Sequence, residues 1–384
     1  MKFSFPCSKC FSSPGIIDDN THGLQFLQNV HAFTYKELKV ATNDFHPSNK
    51  IGEGGFGSVY KGRLNDGVDV AVKVLSAESK QGDREFMSEL ASLSNICHQN
   101  LVKMRGGCIE GCRRILVYDY MEHNSLAHIL FQDEEKIRSK LNWRVRREIC
   151  LGIAMGLAHI HEEVKPHLVH RDIKASNILL EKNFHPRISD FGLSKLFPEN
   201  ITHISTRVAG TLGYLAPEYA ISGHLTRKSD VYSFGVLILQ IVSGRSAVDF
   251  DLELGEHYLV QKAWEMYKSK RLVDLVDSRL EVDGNFSEKE AIEFLKLGLL
   301  CVQEKCSLRP RMSTAIKLMT MMNIKDEVNI KDEMTMNLFM NVEICEPGVI
   351  TDKMDLKIAH RTDRSSPPSN ISTMPSPQPY PFRI

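Results

Sequence analysis

The sequence predicts an α+β protein with two unequal lobes, the first rich in strands and the second mostly helical. Apolar and polar residues alternate through "GVDVAVKVL" (67–75), which is the pattern of a half-buried strand. From residue 141 onward the apolar residues instead recur at helical spacing, as in "LNWRVRREICLGIAMGLAHIH". A chain of 384 residues is long enough for a bilobal enzyme.

The overall composition is that of an ordinary globular protein, with 42% hydrophobic and 25% charged residues. The 48 lysines and arginines balance the 48 aspartates and glutamates, so the formal net charge is zero. A protein that binds DNA or RNA usually carries a basic excess. The charge balance therefore argues against a nucleic-acid partner.

The chain is predicted to begin with a short helical lead-in (31–50) and the strand-rich lobe (51–121). In the lead-in, "FTYKELKVATNDF" (33–45) predicts a helix capped by Thr34, with Glu37 completing a capping box. After the alternating strand, "GDREFMSELASLS" predicts the one helix of this lobe. Its apolar stripe consists of Phe86, Leu90 and Leu93.

The second lobe (122–322) is predicted to consist mainly of helices. "SDVYSFGVLILQIVSG" is apolar nearly all round, which indicates a core helix, with Ser229 as its N-cap. "SEKEAIEFLKLGLL" begins with a predicted capping box of Ser287 and Glu290. The first long helix has its apolar positions at Ile149, Ile153, Leu157 and Ile160. Its solvated face is expected to carry Arg144, Arg146 and Arg147.

Both ends of the chain are expected to lie outside the folded lobes. Residues 1–30 are mixed in composition and weakly periodic, which predicts a flexible segment. Residues 323–384 are expected to form a largely disordered tail, because their end is rich in serine and proline. The tail begins with a tandem repeat, "NIKDEV" and "NIKDEM" (323–334), for which the sequence suggests no role.

The nine cysteines are scattered and odd in number, and no apolar leader precedes them. This pattern predicts reduced thiols in a cytoplasmic protein. The longest apolar run (234–242) is too short to span a bilayer, so no transmembrane span is expected. Zinc would need two ligands besides Cys7 and Cys10, and S-acylation of this pair is favoured instead. Acylation would attach the protein peripherally to the plasma membrane, whereas Lys2 excludes N-myristoylation.

A glycine-rich segment, "IGEGGFGSV", marks the start of the first lobe. Gly52, Gly54 and Gly57 form G-x-G-x-x-G, which by itself also occurs in dinucleotide-binding proteins and in ordinary turns. A dinucleotide-binding fold needs a helix directly after the glycines. Here a strand ("SVYKGRL"), a turn ("NDG") and the alternating strand follow. The pattern therefore indicates a hairpin whose backbone N–H groups cover phosphates.

The alternating strand places Lys73 on the same face as Ala71. The small alanine leaves room for a flat base, and the lysine can reach a phosphate as a point charge. On the following helix, either Glu89 or Glu85, one turn apart, could pair with this lysine and hold it in place.

The segment "HLVHRDIKASNILL" (167–180) sets several ionisable residues beside apolar runs, which does not favour stability and suggests chemistry. Asp172 is suited to accept or orient the proton of an attacking hydroxyl, and Lys174 to offset charge on a transferring phosphoryl group. Asn177, and Asp190 in "ISDFGL", are predicted metal ligands, because Mg²⁺ prefers carboxylate and amide oxygens. Together these groups predict a phosphate-transfer site.

These motifs resemble, in order and spacing, those of eukaryotic protein kinases over about residues 45–322. The resemblance rests on "GEGGFGSV", "VAVK", "HRDIKASN", "DFG", "APE" and "SDVYSFG". More narrowly, "FTYKELKVATNDFHPSNKIGEGGFGSVYKG" and "GTLGYLAPEY" are typical of plant receptor-like cytoplasmic serine/threonine kinases. The resemblance implies a bilobal protein kinase fold, with an antiparallel β-sheet and one helix in the N-lobe and a mostly α-helical C-lobe. It also implies ATP as phosphate donor and Mg²⁺ as cofactor.

The resemblance also assigns residues to the nucleotide site. Tyr118 would be the gatekeeper, and the residues after it the hinge that meets adenine. Glu89 is favoured over Glu85 as the partner of Lys73. The residues expected to bind the nucleotide are Ile51, Gly52, Glu53, Gly54, Gly55, Phe56, Gly57, Ser58, Val59, Ala71, Lys73, Glu89, Tyr118, Asp119, Met121 and Asp190.

Other implied roles concern the second lobe. Asp230 would brace the catalytic loop, and Arg309 would pair with Glu218. Lys174 in "HRDIKASN" is typical of serine/threonine kinases, whereas tyrosine kinases usually carry Ala and Arg in this stretch. Gln240 stands where relatives often carry glutamate, a departure that affects local packing alone.

The implied function is an active, autophosphorylating serine/threonine kinase that acts on protein substrates in plant cell signalling, with upstream receptor kinases as candidate partners. A pseudokinase scaffold is the second hypothesis, although no catalytic group is missing from the sequence. A small-molecule kinase is disfavoured, because "GTLGYLAPEY" resembles the peptide-docking loop of protein kinases.

The segment "SKLFPENITHISTRVAGTLGYL" resembles a kinase activation loop. In kinases of this pattern, an arginine such as Arg171 pairs with a phosphate on the loop. Ser205 or Thr206 is the preferred regulatory site. The hydroxyl of Thr211 is instead expected to contact the catalytic aspartate and lysine directly. The hydroxyl residues of the loop are Thr202, Ser205, Thr206 and Thr211.

Overall fold

A sheet-based N-lobe precedes a helical C-lobe in the chain, as the sequence predicts. The structure is a computed structural model, and it describes residues 31–54, 57–75, 80–131, 140–249, 258–282, 286–323 and 344–348. The predicted flexible segment 1–30 and most of the predicted tail lie outside the described residues, as do the candidate site residues Gly55 and Phe56.

The N-lobe is built on one sheet with the strand order β1-β5-β6-β4-β3-β2. Its strands are β1 (His31–Ala32), β2 (Lys50–Gly54), β3 (Gly57–Arg63), β4 (Asp69–Leu75), β5 (Met104–Glu110) and β6 (Arg113–Asp119). Val70 and Val72 of β4 are fully buried on one face, which confirms the predicted alternation. The predicted antiparallel sheet is confirmed for β2 to β6. At one edge the lead-in adds β1, which pairs in parallel with β5.

The lead-in helix α1 (Tyr35–Ala41) packs its fully buried Leu38 against the N-lobe sheet. Thr34 caps it, and both bonds of the predicted capping box with Glu37 are present. The helix ends before residue 45 because Asn43, Asp44 and Phe45 adopt left-handed backbone conformations, with φ between 51° and 60°.

The second N-lobe helix, α2 (Lys80–Leu93), buries the predicted stripe of Phe86, Leu90 and Leu93. Glu85 and Glu89 are buried as well, which the stripe does not predict. Buried carboxylates need polar or charged partners, so the side of α2 that carries Glu85 and Glu89 does more than pack against the core.

The C-lobe consists of helices around the core, with short two-stranded pairs that carry the connecting loops. Its helices are α3 (Leu126–Phe131), α4 (Trp143–Ala158), α5 (Pro217–Ser222), α6 (Arg227–Ser243), α7 (Leu259–Lys268), α8 (Glu288–Cys301) and α9 (Met312–Asn323). Its short strands are β7 (His167–Val169), β8 (Ile178–Leu180), β9 (Pro186–Ile188), β10 (Lys195–Phe197), β11 (Ile204–Ser205) and β12 (His224–Leu225).

Helix α6 is the predicted core helix, but its start differs from the prediction. Thr226 is the N-cap, and Ser229 lies three residues inside the helix, where its hydroxyl accepts the N–H of Thr226 at 3.2 Å. Near the end of the helix, the buried Gln240 accepts a hydrogen bond from the Tyr214 hydroxyl at 2.5 Å. The glutamine, which stands where relatives often carry glutamate, is therefore accommodated by a hydrogen bond.

The capping box predicted for α8 is half formed. The Ser287 hydroxyl accepts the N–H of Glu290 at 3.4 Å. The Glu290 carboxylate instead binds the indole N–H of Trp143 at 2.7 Å and the Arg147 guanidinium at 3.1 Å. Charged and indole donors from another helix outcompete the local backbone N–H for this carboxylate.

The predicted solvated arginine face of α4 is wrong for Arg146, which is 1% exposed. Its guanidinium donates to the carbonyls of Leu141 and Ile241 and to the Asp277 carboxylate, at 2.9, 2.8 and 2.7 Å. The neighbouring Arg144 remains exposed and pairs with Glu148. Arg146 is thus buried and Arg144 exposed, because α6 and the segment around Asp277 cover only one side of α4.

Arg146→Met should lower the free energy of unfolding by roughly 3–5 kcal/mol, because it breaks a buried ion pair and removes the donors of two buried carbonyls. Arg144→Met, the matched surface control, should change it by less than about 0.5 kcal/mol. Denaturant unfolding of the two variants measures the difference. Equal effects would contradict a structural role for Arg146.

Candidate active site

A cavity of about 470 Å³ lies between the N-lobe sheet and the C-lobe. Strands β2, β3, β4 and β6 and the residues after β6 line it from the N-lobe side. Ten of the predicted nucleotide-binding residues border it: Ile51, Gly52, Val59, Ala71, Lys73, Glu89, Tyr118, Asp119, Met121 and Asp190. A concave site with an apolar lining and a few polar groups is typical of a small-molecule binding site.

The hairpin β2–β3 closes the cavity at one side. Glu53, Gly54, Gly57 and Ser58 belong to this hairpin but do not border the cavity in the structure. Gly57 has φ of 133°, and a Cβ there would lie 2.0 Å from the carbonyl oxygen of Val74. The close packing of β3 on β4 therefore requires glycine at this position.

The cavity lining includes apolar residues that sequence reasoning missed. Val102 precedes β5, and Leu179 lies in β8 of the C-lobe. Leu179 lies in the apolar run "ILL" (178–180) directly after "HRDIKASN", and this run is the signal that the sequence offers. Periodicity alone does not distinguish a core residue from one that borders a cavity.

Lys73 is held at the back of the cavity by two carboxylates. Its ammonium group lies 2.5 Å from Glu89 and 2.8 Å from Asp190. Glu85 is also buried, but the ion pair of Lys73 forms with Glu89, as predicted. Burial by itself lowers the pKa of Lys73, yet the two carboxylates raise it above its ordinary value, so the side chain stays charged.

The Glu89 carboxylate is fully enclosed, and this burial raises its pKa above the ordinary value despite the neighbouring Lys73. The Tyr118 hydroxyl donates a hydrogen bond to the other carboxylate oxygen. Burial beside Glu89 in turn raises the pKa of Tyr118. The predicted gatekeeper therefore helps to hold the glutamate that positions Lys73.

Asp190 follows β9 in a left-handed backbone conformation, with φ of 65°. The next residue, Phe191, is fully buried and packs edge-on against the His170 ring at 4.6 Å. Burial by itself would raise the pKa of Asp190, but the Lys73 ammonium holds it below the ordinary value. A strained backbone kept in place by packing is a common device at functional sites.

Asp172 is at the centre of a second network, on the loop after β7. Its carboxylate accepts hydrogen bonds from the Thr211 hydroxyl at 2.7 Å and from the Asn177 amide at 3.0 Å. The Lys174 ammonium lies 2.9 Å from the same carboxylate and donates to the Thr211 oxygen at 2.8 Å. The predicted contact of Thr211 with the aspartate and the lysine is confirmed.

Asp230, at the start of α6, braces this loop as predicted. Its carboxylate accepts the backbone N–H groups of His170 at 2.7 Å and Arg171 at 2.8 Å, and its Oδ2 lies 2.9 Å from the His161 ring. Burial alone would raise the pKa of Asp230, but the His161 ring and these N–H groups hold it below the ordinary value. The Asp230 carboxylate thus connects three segments that are distant in the sequence, namely α6, the segment around His161 and the loop that carries His170.

The predicted pair of Arg309 and Glu218 is confirmed as a bidentate ion pair, with distances of 2.7 and 2.8 Å. Arg309 is 1% exposed. Because Glu218 lies in the first turn of α5, the pair anchors this short helix to the loop before α9.

The Arg171 guanidinium is engaged by the chain itself. Its three nitrogens donate to the Tyr219 hydroxyl and to the carbonyls of Leu193 and Arg207. The backbone at Ile204 and Ser205 pairs with β12. These backbone contacts hold the segment after Asp190 in place. The sequence does not predict them.

Asp190, which borders the cavity, and Asn177, which does not, offer side-chain oxygens that suit a hard cation. Asp190 supplies a carboxylate, and the Asn177 amide nitrogen is used in bonds to Asp172, so the amide oxygen is the atom available to a cation. One carboxylate and one amide oxygen, completed by phosphate oxygens and water, fit Mg²⁺. Within the described ranges, no cluster of three or more His, Cys, Asp or Glu side chains is arranged to bind a metal without such additional ligands.

Comparisons with known proteins point to one family. The family described as "Protein tyrosine and serine/threonine kinase" matches residues 45–319. Cold-responsive protein kinase 1 of Arabidopsis thaliana is 53% identical over 333 residues, which cover 86% of this chain and 81% of that protein.

Receptor-like proteins of the same plant are also similar to this chain. A probable LRR receptor-like serine/threonine-protein kinase is 52% identical over 290 residues, and a probable leucine-rich repeat receptor-like serine/threonine-protein kinase is 50% identical over the same length. The chain spans 28% of the length of each of these two relatives. Among the helices of the described ranges, none combines the length and the apolar character needed to cross a membrane. The family match and the similar kinases together show that the chain belongs to the protein tyrosine and serine/threonine kinase family, as a plant serine/threonine protein kinase of the receptor-like group.

Proposed function

We propose that this kinase transfers the γ-phosphate of ATP to protein serine and threonine hydroxyls with Asp172, Lys174 and Asn177 as its catalytic residues. One observation carries the proposal. The Lys73–Glu89–Asp190 network and the Asp172–Lys174–Thr211 network are both assembled. They are connected, because the N–H of Ser189, next to Asp190, donates to the carbonyl of Asn177, whose amide binds Asp172. A pseudokinase scaffold would have no use for two complete charged networks whose burial costs stability.

In the proposed reaction, the substrate hydroxyl oxygen attacks the γ-phosphorus, and the bond to the β-phosphate oxygen breaks. Asp172 accepts or orients the hydroxyl proton, and Lys174 offsets charge on the transferring group. Lys73 holds the phosphates of ATP in position, and Glu89 holds Lys73. Bound Mg²⁺, for which Asn177 and Asp190 are the proposed ligands, would neutralise phosphate charge.

The nucleotide is proposed to occupy the cavity with its base near Tyr118, Asp119 and Met121. Ala71 leaves space beside the base, and the hairpin from Ile51 to Val59 covers the phosphates. The proposed set also includes Gly55 and Phe56, which lie outside the described residues.

The test is to incubate the pure protein with Mg-ATP and to map phosphosites on the protein itself and on generic substrates. Incorporation of phosphate at serine and threonine supports the proposal, and sites on the chain itself support autophosphorylation. Absence of transfer despite measurable nucleotide binding would favour the pseudokinase alternative. Phosphorylated small molecules without phosphoprotein would favour a small-molecule kinase.

Regulation is proposed to act at Ser205 or Thr206. A phosphate there adds about −1.5 to −2 charge and can bind Arg171, displacing the carbonyls that this arginine now binds. The double variant Ser205→Ala/Thr206→Ala should therefore show reduced activation after preincubation with ATP. Turnover assays before and after preincubation measure this effect. Full activation of both the double variant and Arg171→Ala would contradict it.

We further propose a cytoplasmic protein held peripherally at the plasma membrane through Cys7 and Cys10, where receptor kinases would be candidate upstream partners. The proposal rests on the sequence, since both cysteines lie outside the described residues. Cys7→Ser/Cys10→Ser should reduce the membrane fraction, because each acyl chain adds apolar area that binds the bilayer. An unchanged membrane fraction in cell fractionation would remove acylation as the anchor.

A further inference from the structure

Residues 344–348 pack against the C-lobe, although they lie beyond the end of the family match at residue 319. The Gly348 N–H donates to the Val302 carbonyl at 3.2 Å, and the Glu304 N–H donates to the Glu346 carbonyl at 3.3 Å. Between these bonds, Pro347 and Gln303 form an antiparallel bridge. The segment 344–348, hereafter the docked segment, therefore pairs with the loop after α8 as a short strand does.

The apolar side chains of the docked segment are buried, and its more polar side chains are exposed. Ile344 is 8% exposed and belongs to the main hydrophobic core, and Pro347 is buried. Cys345 and Glu346 face solvent. This separation of apolar and polar residues is typical of a segment that docks with one face, and burial of the apolar residues favours the docked position.

The groove that receives the segment is shaped for a glycine. A Cβ at Gly348 would lie 2.5 Å from Cγ of Pro217 and 3.2 Å from Cα of Glu304. The Gly348 carbonyl accepts a hydrogen bond from the Tyr232 hydroxyl at 2.6 Å. Tyr232 is 3% exposed, so the docked segment supplies the partner for a buried hydroxyl of α6.

The same loop connects the docked segment to helix α5. Arg309, whose guanidinium pairs with Glu218 of α5, also donates to the carbonyls of Gln303 and Glu304 at 2.7 and 3.1 Å. Pro217, which contacts Gly348, is the first residue of α5. The docked segment, the loop 302–304 and α5 are therefore packed as one unit next to the segment that carries Thr211.

We propose that the groove between Pro217, Tyr232 and residues 302–304 is a docking surface for the chain's own residues 344–348, and that its occupation stabilises helix α5. The occupant matches the groove in three ways. Backbone pairing sets its register, Ile344 and Pro347 bury apolar area, and Gly348 fits where a larger residue would clash. The folded kinase unit then includes residues 344–348 in addition to the elements up to α9.

Hydrogen exchange on the full-length protein tests the proposal without requiring activity. In the wild type, peptides that cover 302–304 and 344–348 should exchange slowly, because the amides of Glu304 and Gly348 bond across the groove. Gly348→Val should speed exchange at both sites by at least about tenfold and should also speed exchange in α5. Glu346→Gln, a matched control at an exposed position of the same segment, should leave all three regions unchanged.

Tyr232→Phe provides a variant without a steric clash. It removes one hydrogen bond to the docked segment, so exchange at 344–348 should rise while the amides of the α6 interior stay protected. Wild-type exchange at 344–348 as fast as in an unstructured peptide would overturn the proposal, as would unchanged exchange in Gly348→Val. Protection that disappears on dilution would also overturn it, since the segment would then dock onto a second copy.

Discussion

Asp172→Asn should lower the rate of phosphoryl transfer by about 10²–10⁴-fold while the chain remains folded. Asparagine has nearly the same shape, so the contacts with Thr211 and Asn177 can persist in altered form. The amide, however, cannot accept the proton of the attacking hydroxyl. The loss should therefore affect turnover more than the affinity for ATP.

Steady-state assays with saturating Mg-ATP and a peptide substrate measure the effect, and thermal unfolding checks the fold. Asp274→Asn is a suitable control, because its carboxylate forms a solvent-exposed pair with Arg271 at the C-lobe surface. That variant should retain normal turnover. A folded Asp172→Asn protein with near-normal turnover would show that another group handles the proton.

Asp190→Asn should reduce the use of Mg-ATP by at least about a hundredfold, because it removes the proposed carboxylate ligand of the metal. It also removes one of the two negative charges that hold Lys73. Lys73→Met should cause a loss of similar size by misplacing the phosphates. Excess EDTA should abolish the activity of the wild type.

A binding assay separates the metal role from the chemistry. In the wild type, ADP with Mg²⁺ should raise the melting temperature more than ADP alone, because the cation bridges protein and phosphate. In Asp190→Asn this magnesium-dependent increment should be lost, whereas Asp274→Asn should keep it. Activity that persists in excess chelator, or an unchanged increment in Asp190→Asn, would contradict the proposed metal site.

Much of the fold and the candidate site could be predicted from the sequence. The alternation around Lys73 predicts β4 and its buried face, and the capping box at Thr34 predicts the start of α1. The order of the motifs predicts a nucleotide site that contains Lys73, Asp172 and Asp190. The strand and the capped helix are local features, and local backbone preferences and hydrophobic periodicity encode them directly. The site instead follows from the chemistry of its motifs and from their resemblance to those of protein kinases.

The tertiary structure alone decided which polar residues are buried and what they contact. Arg144 and Arg146 lie two residues apart on one helix, yet Arg146 is buried because its partner Asp277 comes from a segment 131 residues away. The engagement of Arg171 by Leu193 and Arg207 likewise depends on how the following loop returns across the lobe.

Contacts with other segments of the chain also decide where the docked segment lies and where α6 starts. The tail composition predicts disorder, but residues 344–348 find a groove whose walls come from α5, α6 and the loop 302–304. Ser229 is a good N-cap residue by type, but Thr226 takes that place and Ser229 completes the cap from inside the helix. Periodicity determines which face of an element is apolar. The distant segment that covers that face determines which charges can be buried, because a buried charge needs a partner and only the assembled chain brings that partner near.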